Sequence, residues 1–454
     1  MAVWSSVRIR EVASEDRLDT EFFTPKNLAR ARMLKREHAV ALGQDCTVLN
    51  GKTPSHYEED GEFSVVRSGD LANPLVYFDS GHNFLQTNVA IKGATLRKGD
   101  VLISSIGVGS IGKIGVVIDP RKLVTVSEVT IVRSAVYTPE FLFAYFATEA
   151  GQGEINRRVT GATGQQHLIK SNAEAILIPP PPPKVVSMEL ARLVADAHAE
   201  QSGAHELIVE AESLLMEALR LERLDPMPSP YYDRSFSDLL AEGRFDAEYF
   251  NPKYQRVIEA LQAGGRTLGG VAPLAERPFI AARRPEGSNF RYIEIGSLTG
   301  DGESEAEALD VADAPSRATW IVKPGDVITS TVRPIRRLSA VVRDDQDGCV
   351  CSSGFAVLSP KSGPDGIEPE VLLTYLRLPI VCELLDLHTT ATMYPAIPTD
   401  RLMRFPIVVP DQVTRAAVVQ KVNATIAARR RATELLEKTK QMVEDLIANG
   451  GSAS

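Results

Sequence analysis

The chain has 454 residues and a formal net charge of −9, with 44% hydrophobic and 24% charged residues. That length exceeds one ordinary hydrophobic core and suits two domains with connecting elements. The acidic balance excludes indiscriminate coating of nucleic acid, which favours a positive surface, and leaves local binding open.

No run approaches the ~20 apolar residues that cross a bilayer, and the start lacks the basic and apolar regions of a signal peptide. Four cysteines fit a reducing compartment, so a cytoplasmic location without membrane contact is expected. Cys349-x-Cys351 lacks a second pair at ligand spacing, and no metal is expected there.

In chain order, residues 1–44 form an anchor segment. Arg17-Leu18-Asp19-Thr20-Glu21-Phe22-Phe23-Thr24-Pro25-Lys26 reads as a short stretch whose aromatics turn inward while Arg and Asp pair locally; a helix is expected from Asn27 to Leu42. Over 45–183 strands dominate, with β-branched runs at 64–66, 101–104, 114–118 and 129–132 punctuated by Gly, Asp and Pro. One helix, 139–149, carries Pro at its first turn. The domain closes at Ile176-Leu177-Ile178 and five prolines, which continue neither helix nor sheet.

The stretch 184–224 reads as a long helix. Leu193, Glu200, Leu207, Leu214 and Leu221 share one heptad position, and Ala197, Ala204, Ala211 and Ala218 share another. Such a narrow Leu/Ala seam suits one closely approaching partner helix better than a globular core.

The chain then begins again. The anchor returns as Arg244-Phe245-Asp246-Ala247-Glu248-Tyr249-Phe250-Asn251-Pro252-Lys253, 227 residues on (17 to 244), within a linker and repeated anchor at 225–264. Phe63–Leu71 and Phe290–Leu298 match at the same shift (63 to 290), and Gly99-Asp100-Val101 matches Gly325-Asp326-Val327 at 226 (99 to 325). A second β-rich domain follows at 265–410, then a second long helix at 411–449, capped by Asp411 and carrying Val418, Thr425, Ala432, Thr439 and Leu446 at one heptad position. The expected fold class is α+β: two pseudo-repeated mixed α/β domains separated by two long antiparallel coiled-coil helices.

Gly107-Val108-Gly109-Ser110-Ile111-Gly112 matches G-x-G-x-x-G, but a second strand closed by Pro120 follows where a dinucleotide site needs a helix. A Gly-rich hairpin tip fits better, with Ser105 and Lys113 near a phosphate chain. The corresponding Thr331-Val332-Arg333-Pro334-Ile335-Arg336-Arg337 exchanges glycines for arginines, so the two copies would read different things. Arg157, Arg158, Thr163, Gln165, Gln166 and His167 lie in the richest polar stretch of the first domain, with donors and acceptors suited to phosphates and base edges. Their counterpart holds His388, Thr392 and Tyr394. Lys52 and the pair Arg283-Arg284 occupy equivalent loops early in the two domains. These apart from His388, with Arg333, Arg336 and Arg337, form the candidate DNA-contact set; ordinary solvated loops are the competing reading. His167 and His388 lack any constellation that the other copy repeats, so no catalytic residue is expected.

Gly51-Lys52-Thr53-Pro54, Lys98-Gly99-Asp100-Val101-Leu102-Ile103-Ser104, Thr160-Gly161-Ala162-Thr163 leading to Ile178-Pro179-Pro180, and Pro410-Asp411-Gln412 occur in an order that resembles the specificity (S) subunits of type I restriction-modification enzymes. The Arg-x-Asp-x-Glu-aromatic-Phe opening marks a divergent branch. The resemblance implies two target-recognition domains, each reading half of a split double-stranded DNA sequence. It also implies helices that act as a ruler and dock adenine methyltransferase subunits, and a nuclease or translocase subunit as a further partner. It implies no cofactor and no catalysis by this chain, within a restriction or related phage-defence system. A protein-interaction scaffold with duplicated domains is the alternative, favoured by the acidic balance. An enzyme using the Gly-rich loop is a third reading.

Overall fold

The computed structural model describes the chain apart from residues 1–5, 10–11, 13–14, 16, 59, 78–84, 90–92, 108, 120–121, 162–165, 222–230, 286, 299–301, 364–365, 391–393 and 450–454. It divides into two units, Met1–His205 with Ala428–Ser454, and Glu206–Ala427.

In the first unit the anchor leads into the helix Pro25–Arg36, whose start is capped by the Thr24 side chain and opened by Pro25. The helix stops at Arg36, short of the expected Leu42. His38 takes φ 60 and turns the chain, Val40–Ala41 pairs antiparallel with Leu177–Ile178, and the Leu42 amide donates to the Ile176 carbonyl at 2.7 Å. Closing the domain on its own last strand outweighs local helix propensity.

The centre is a five-stranded sheet in the order Cys46–Asn50, Val129–Ser134, Val101–Ser104, Ile114–Asp119, Leu75–Tyr77. Alternation assigns its faces. Val101, Ile103, Val116 and Val132 pack on the helix Pro139–Ala147 through Phe141, Tyr145 and Phe146. Leu102, Val117 and Ile131 pack on the other side against Val65, Leu123 and Val124 of a smaller three-stranded sheet. The expected helix 139–149 breaks at Thr148, whose hydroxyl caps a further helix, Glu149–Arg158, by accepting from the Gly151 amide at 3.0 Å. Gly151 is required: a Cβ there would lie 2.1 Å from the Tyr145 carbonyl oxygen.

In the second unit Asn251 caps Pro252–Gln262, and Arg266–Thr267 pairs antiparallel with Pro406–Ile407. Val327–Ser330 is the middle of a three-stranded sheet between Ser339–Val341 and Phe355–Leu358. Val327 and Leu358 face the helices Pro369–Arg377 and Pro379–Leu387, while Ile328 and Val357 face a separate core with Ile293 and Cys351. A four-stranded sheet, Glu307–Asp310, Asn289–Ile293, Val350–Ser352, Ala318–Ile321, completes it. The Tyr375 hydroxyl donates to the Pro406 carbonyl at 2.7 Å, and in the first unit the Tyr145 hydroxyl donates to Leu177. In each case a buried phenol ties the helix to the closing strand.

Two long helices run over Lys184–Ala218 and Gln412–Ala448, the second capped by Asp411. In the first unit Leu190, Val194 and Ala197 share a core with Ala432, Val443 and Leu446. There Arg431 pairs with Glu200 at 2.7 Å and Lys438 acts on Glu189, so position falls along one helix as it rises along the other. In the second unit Ile208, Ala211 and Leu215 share a core with Val418 and Val422, and Lys421 pairs with Glu210. Ala197, Ala204 and Ala211 are fully buried, but Leu207 and Leu214 are half-buried and Ala218 is exposed. Leu193 is buried together with Val194; farther along, the large-residue side of the stripe falls one place later, on Ile208 and Leu215, and the helix ends at Ala218 before Arg220 takes φ 55.

Candidate nucleic-acid interface

Residues 105–113 connect two antiparallel strands, with Ile103 opposite Ile114, and Gly107, Gly109 and Gly112 take φ 104, 76 and 87. The glycines shape a hairpin tip, and no helix N-terminus begins there to meet a pyrophosphate. Ile106 bridges His167, the Gly107 amide donates to Gln166 at 3.3 Å, and the Leu168 amide donates to Ser105 at 2.8 Å. From the other side, the Glu128 carbonyl accepts from the Ser105 amide at 2.9 Å, the Ser105 hydroxyl at 3.0 Å and the Ser68 hydroxyl at 3.3 Å. Thr53 and Ser127 hydroxyls share a hydrogen bond of 2.7 Å, and the Lys52 amide donates to Thr125 at 3.1 Å.

Four sequence-distant stretches, 51–53, 105–113, 125–128 and 166–168, are therefore stitched together. Lys52 is exposed there; Lys113, Gln166 and His167 are half-buried. Cationic, amide and imidazole groups beside an open glycine backbone can meet phosphates and base edges. Ser105 is buried and its hydroxyl is engaged with Glu128, so it supports this face from beneath. Thr53 and Ser127 were missed by sequence reasoning, since their link spans 74 residues with no local signal.

Arg157 and Arg158 require a correction. They end the helix Glu149–Arg158, are buried, and pair with buried Glu154 at 3.1 and 3.4 Å; Glu15 lies 3.7 Å from Arg158. Both guanidinium groups cover the Phe22 ring, at 4.4 and 5.5 Å, with Arg17 at 5.0 Å. Burial holds the Arg158 pKa below its usual value. These arginines clamp the anchor and are not available to DNA. Glu154, three and four residues before them, was the missed signal. Thr163, Gln165 and Thr392 lie outside the described residues.

The second unit's hairpin, Val327–Ser330 to Ser339–Val341, ends in a 3-10 turn, Pro334–Arg336, with Arg333 and Arg337 at φ 50 and 59. Two non-glycine residues in the left-handed region need local support. Arg337 has it: its Nε donates to the Arg377 carbonyl at 2.6 Å, it pairs with Glu212 on the first long helix, and Arg377 donates to the Arg337 carbonyl at 2.9 Å. Arg337 is thus tied inward, against the expectation that it faces DNA. Burial brings the Arg377 pKa down to about 10. Arg333 donates its amide to Pro395 at 2.8 Å and Val332 bridges Ala396, which sets exposed Arg336 on the same hairpin as a support for Tyr394, 71% exposed. Arg283 and Arg284 are exposed on the turn Ala281–Arg283, in a separate neighbourhood where Arg284 lies 5.6 Å from the Phe279 ring.

His388 packs between Tyr249 at 5.4 Å and Phe405 at 6.2 Å. Burial, with Arg244 and Arg401 nearby, lowers its pKa to about 4, so it sits neutral in the core. All four cysteines are buried, and burial pushes Cys351 and Cys382 up to about 12, away from thiolate chemistry. Among the described residues no group of three or more His, Cys, Asp or Glu could hold a metal, and no helix is long and apolar enough to cross a membrane.

Residues 38–185 match the family described as type I restriction modification DNA specificity domain. The chain is 25% identical over 183 residues to the type I restriction enzyme HindI specificity subunit of Haemophilus influenzae, a match covering 40% of this chain and 39% of that protein. The match thus spans about two fifths of that relative's length. The crystal structure of a type I restriction-modification S subunit from M. genitalium aligns with TM-score 0.36 and 11% identity over 92% of this chain and 96% of that one. The HsdS subunit from Thermoanaerobacter tengcongensis aligns with TM-score 0.27 and 17% identity over 91% and 97%. The matched stretch 38–185 contains the whole first junction, from Lys52 to His167, and this part of the chain is similar to the DNA specificity domain of type I restriction-modification systems.

Proposed function

We propose that the chain is the non-catalytic sequence-reading subunit of a restriction-modification complex or a related methylation-linked defence complex in the cytoplasm. The observation that carries this is the match of residues 38–185 to a DNA specificity domain, over the stretch that brings Lys52, Lys113, Gln166 and His167 to one junction. The repeated anchor 227 residues on (17 to 244) supports a duplicated architecture, in which 45–183 and 265–410 each read half of a split double-stranded DNA target. The helices Lys184–Ala218 and Gln412–Ala448 serve as an antiparallel coiled-coil spacer. Adenine methyltransferase subunits are the partners, with a nuclease or translocase subunit joining the assembled complex.

The test is selection from random double-stranded DNA by the assembled complex, followed by sequencing. Two short half-sites at a fixed gap are expected; no enrichment would leave the acidic scaffold reading. Removing one heptad from each helix, Leu207–Ser213 with Ala432–Lys438, keeps both seams in phase and shortens the pair by about 10 Å. The half-sites should then close by up to about three base pairs, since DNA rises ~3.4 Å per pair. A folded complex with an unaltered gap would refute the ruler.

A further inference from the structure

The second unit is open at a place where the first is filled. In the first, Gly99-Asp100 leads into the strand Val101–Ser104, and Arg133 grips Asp100 twice, Nε to Oδ1 at 2.6 Å and Nη2 to Oδ2 at 2.8 Å. Strand register gives the equivalent position in the second. Val101 pairs with Val132 and Val327 with Leu358, so Ser359 stands where Arg133 does, at a shift of 226 (133 to 359) that also relates Asp100 to Asp326. A serine leaves most of the guanidinium's volume empty. The helix that follows also stands farther off: a Cβ on Gly99 would meet the Pro139 ring at 2.8 Å, whereas among the described residues nothing lies within 4 Å of one on Gly325. Pro139 and Pro369 are related by a shift of 230 (139 to 369), so four residues (230 − 226) are added between Ser359 and Pro369.

The result is a cleft of about 560 Å³ with a cationic lining. Its described residues set Arg277, Lys323, Lys361 and Arg415 against Asp326 and Glu368, four cations to two carboxylates, in a chain whose net charge is −9. The arginines account for the carboxylates. Arg277 pairs with Asp326, which also accepts from the Ser359 hydroxyl at 2.5 Å, and the Arg415 Nη1 lies 3.2 Å from both Glu368 oxygens. The surplus is Lys323 and Lys361. Both are exposed and, among the described residues, neither meets a carboxylate; the Lys361 ammonium donates to the Gly270 carbonyl at 2.7 Å. The Arg415 Nε is buried with no hydrogen-bond partner among those residues. One orphaned guanidinium N–H and two unneutralised ammonium groups in a single cleft are the complement of an oxyanion.

The volume falls in the range of small-molecule sites, ~300–1,000 Å³, and is more than a bare ion needs. Pro324, Pro360 and Pro369 give its walls flat apolar faces. It opens at the start of the strand Val327–Ser330, about 10 Å of strand away from the hairpin turn that follows Ser330, so it is separate from the candidate DNA-contact face. We propose that the cleft binds a small phosphate monoester, its phosphate held by Lys323, Lys361 and Arg415 and its organic body laid against the prolines. In the first unit Arg133 and Pro139 take up the equivalent place.

The test is calorimetric titration of the full chain, in phosphate-free buffer, with phenyl phosphate, phenol and inorganic phosphate. One phenyl phosphate is expected per chain, with no heat from phenol. Lys323→Ala with Lys361→Ala should weaken phenyl phosphate about tenfold or more, since a hydrogen bond to a charged group contributes at least that factor. Lys323→Arg with Lys361→Arg should hold it. Ser359→Arg, which installs the first unit's residue, should abolish binding at an unchanged melting temperature; should that variant fail to fold, the lysine variants decide alone. No binding by the unmodified chain, or an affinity unchanged by the two alanines, would overturn the proposal. Inorganic phosphate bound as tightly as phenyl phosphate would remove the role of the prolines and overturn the monoester. Displacement of phenyl phosphate by a short duplex of unselected sequence would make the cleft a contact for DNA backbone phosphates, and overturn it too.

Discussion

The two anchors bury the same backbone motif under different chemistry. In the first, the Phe22 ring lies beneath Arg157 and Arg158, whose charges are met by buried Glu154. In the second, the Tyr249 ring lies against neutral His388 and donates its hydroxyl to Glu242 at 2.9 Å. At the places of Glu154, Arg157 and Arg158 the second unit carries Leu384, Leu387 and His388, a constant shift of 230 (154 to 384). The hairpin tips diverge likewise, glycines on one and arginines on the other. A frame made of backbone hydrogen bonds and buried rings tolerates such exchange, because what covers the ring has only to be apolar or fully paired.

The largest effect should come from breaking the ionic lid. Glu154→Leu leaves the two buried guanidinium groups with Glu15, 3.7 Å from Arg158, in place of their buried partner and should cost the first unit about 3–5 kcal/mol. Adding Arg157→Leu and Arg158→His, the second unit's own residues, should restore much of it. Chemical denaturation of the single and triple variants decides; equal losses would show that the two lids are not interchangeable.

Acid should sharpen the contrast next. His388 has a folded pKa of about 4 against ~6.5 when unfolded, so below pH 6.5 the unfolded chain takes up a proton that the folded chain refuses. The stability it supports is full above pH 6.5 and is lost as pH falls towards 4, by at most roughly 3 kcal/mol. His388→Gln should flatten that slope in melting temperatures taken between pH 7 and 4.5. An unchanged slope would show that other groups set it.

At the second hairpin the smallest effects separate the two arginines. Arg337→Ala should destabilise the second unit by about 2 kcal/mol, and Arg337→Lys should fail to rescue it, since an ammonium cannot span two acceptors as the planar fork does. Arg336→Ala should leave melting unchanged and lower DNA affinity with a salt slope smaller by about 1. A stability loss at Arg336, or none at Arg337, would reverse these assignments.

What was legible in the sequence is what short-range chemistry determines. Pro139 announces its helix at the first turn, Asp411 caps the last long helix, and the β-branched runs around 101–104 and 129–132 announce the central strands. The misses are long-range. Leu42 depends on the Ile176 carbonyl 134 residues away (42 to 176), Arg157 on the Phe22 ring, and Arg337 on Glu212, 125 residues earlier. The seam was displaced by one place because adjacent residues, such as Leu207-Ile208 and Leu214-Leu215, are apolar pairs that pattern alone cannot rank.

The clamp on Arg337 gives the second hairpin the mechanics of a lever. Its guanidinium bears on Glu212 and on the Arg377 carbonyl, which fixes a pivot at the inner end of the turn. The working arm is short: Pro334 is buried, and Ile335 and Arg336 are the exposed residues of the turn. Exchanging residues along the arm changes the tool that is carried, while the point about which it is held stays the same.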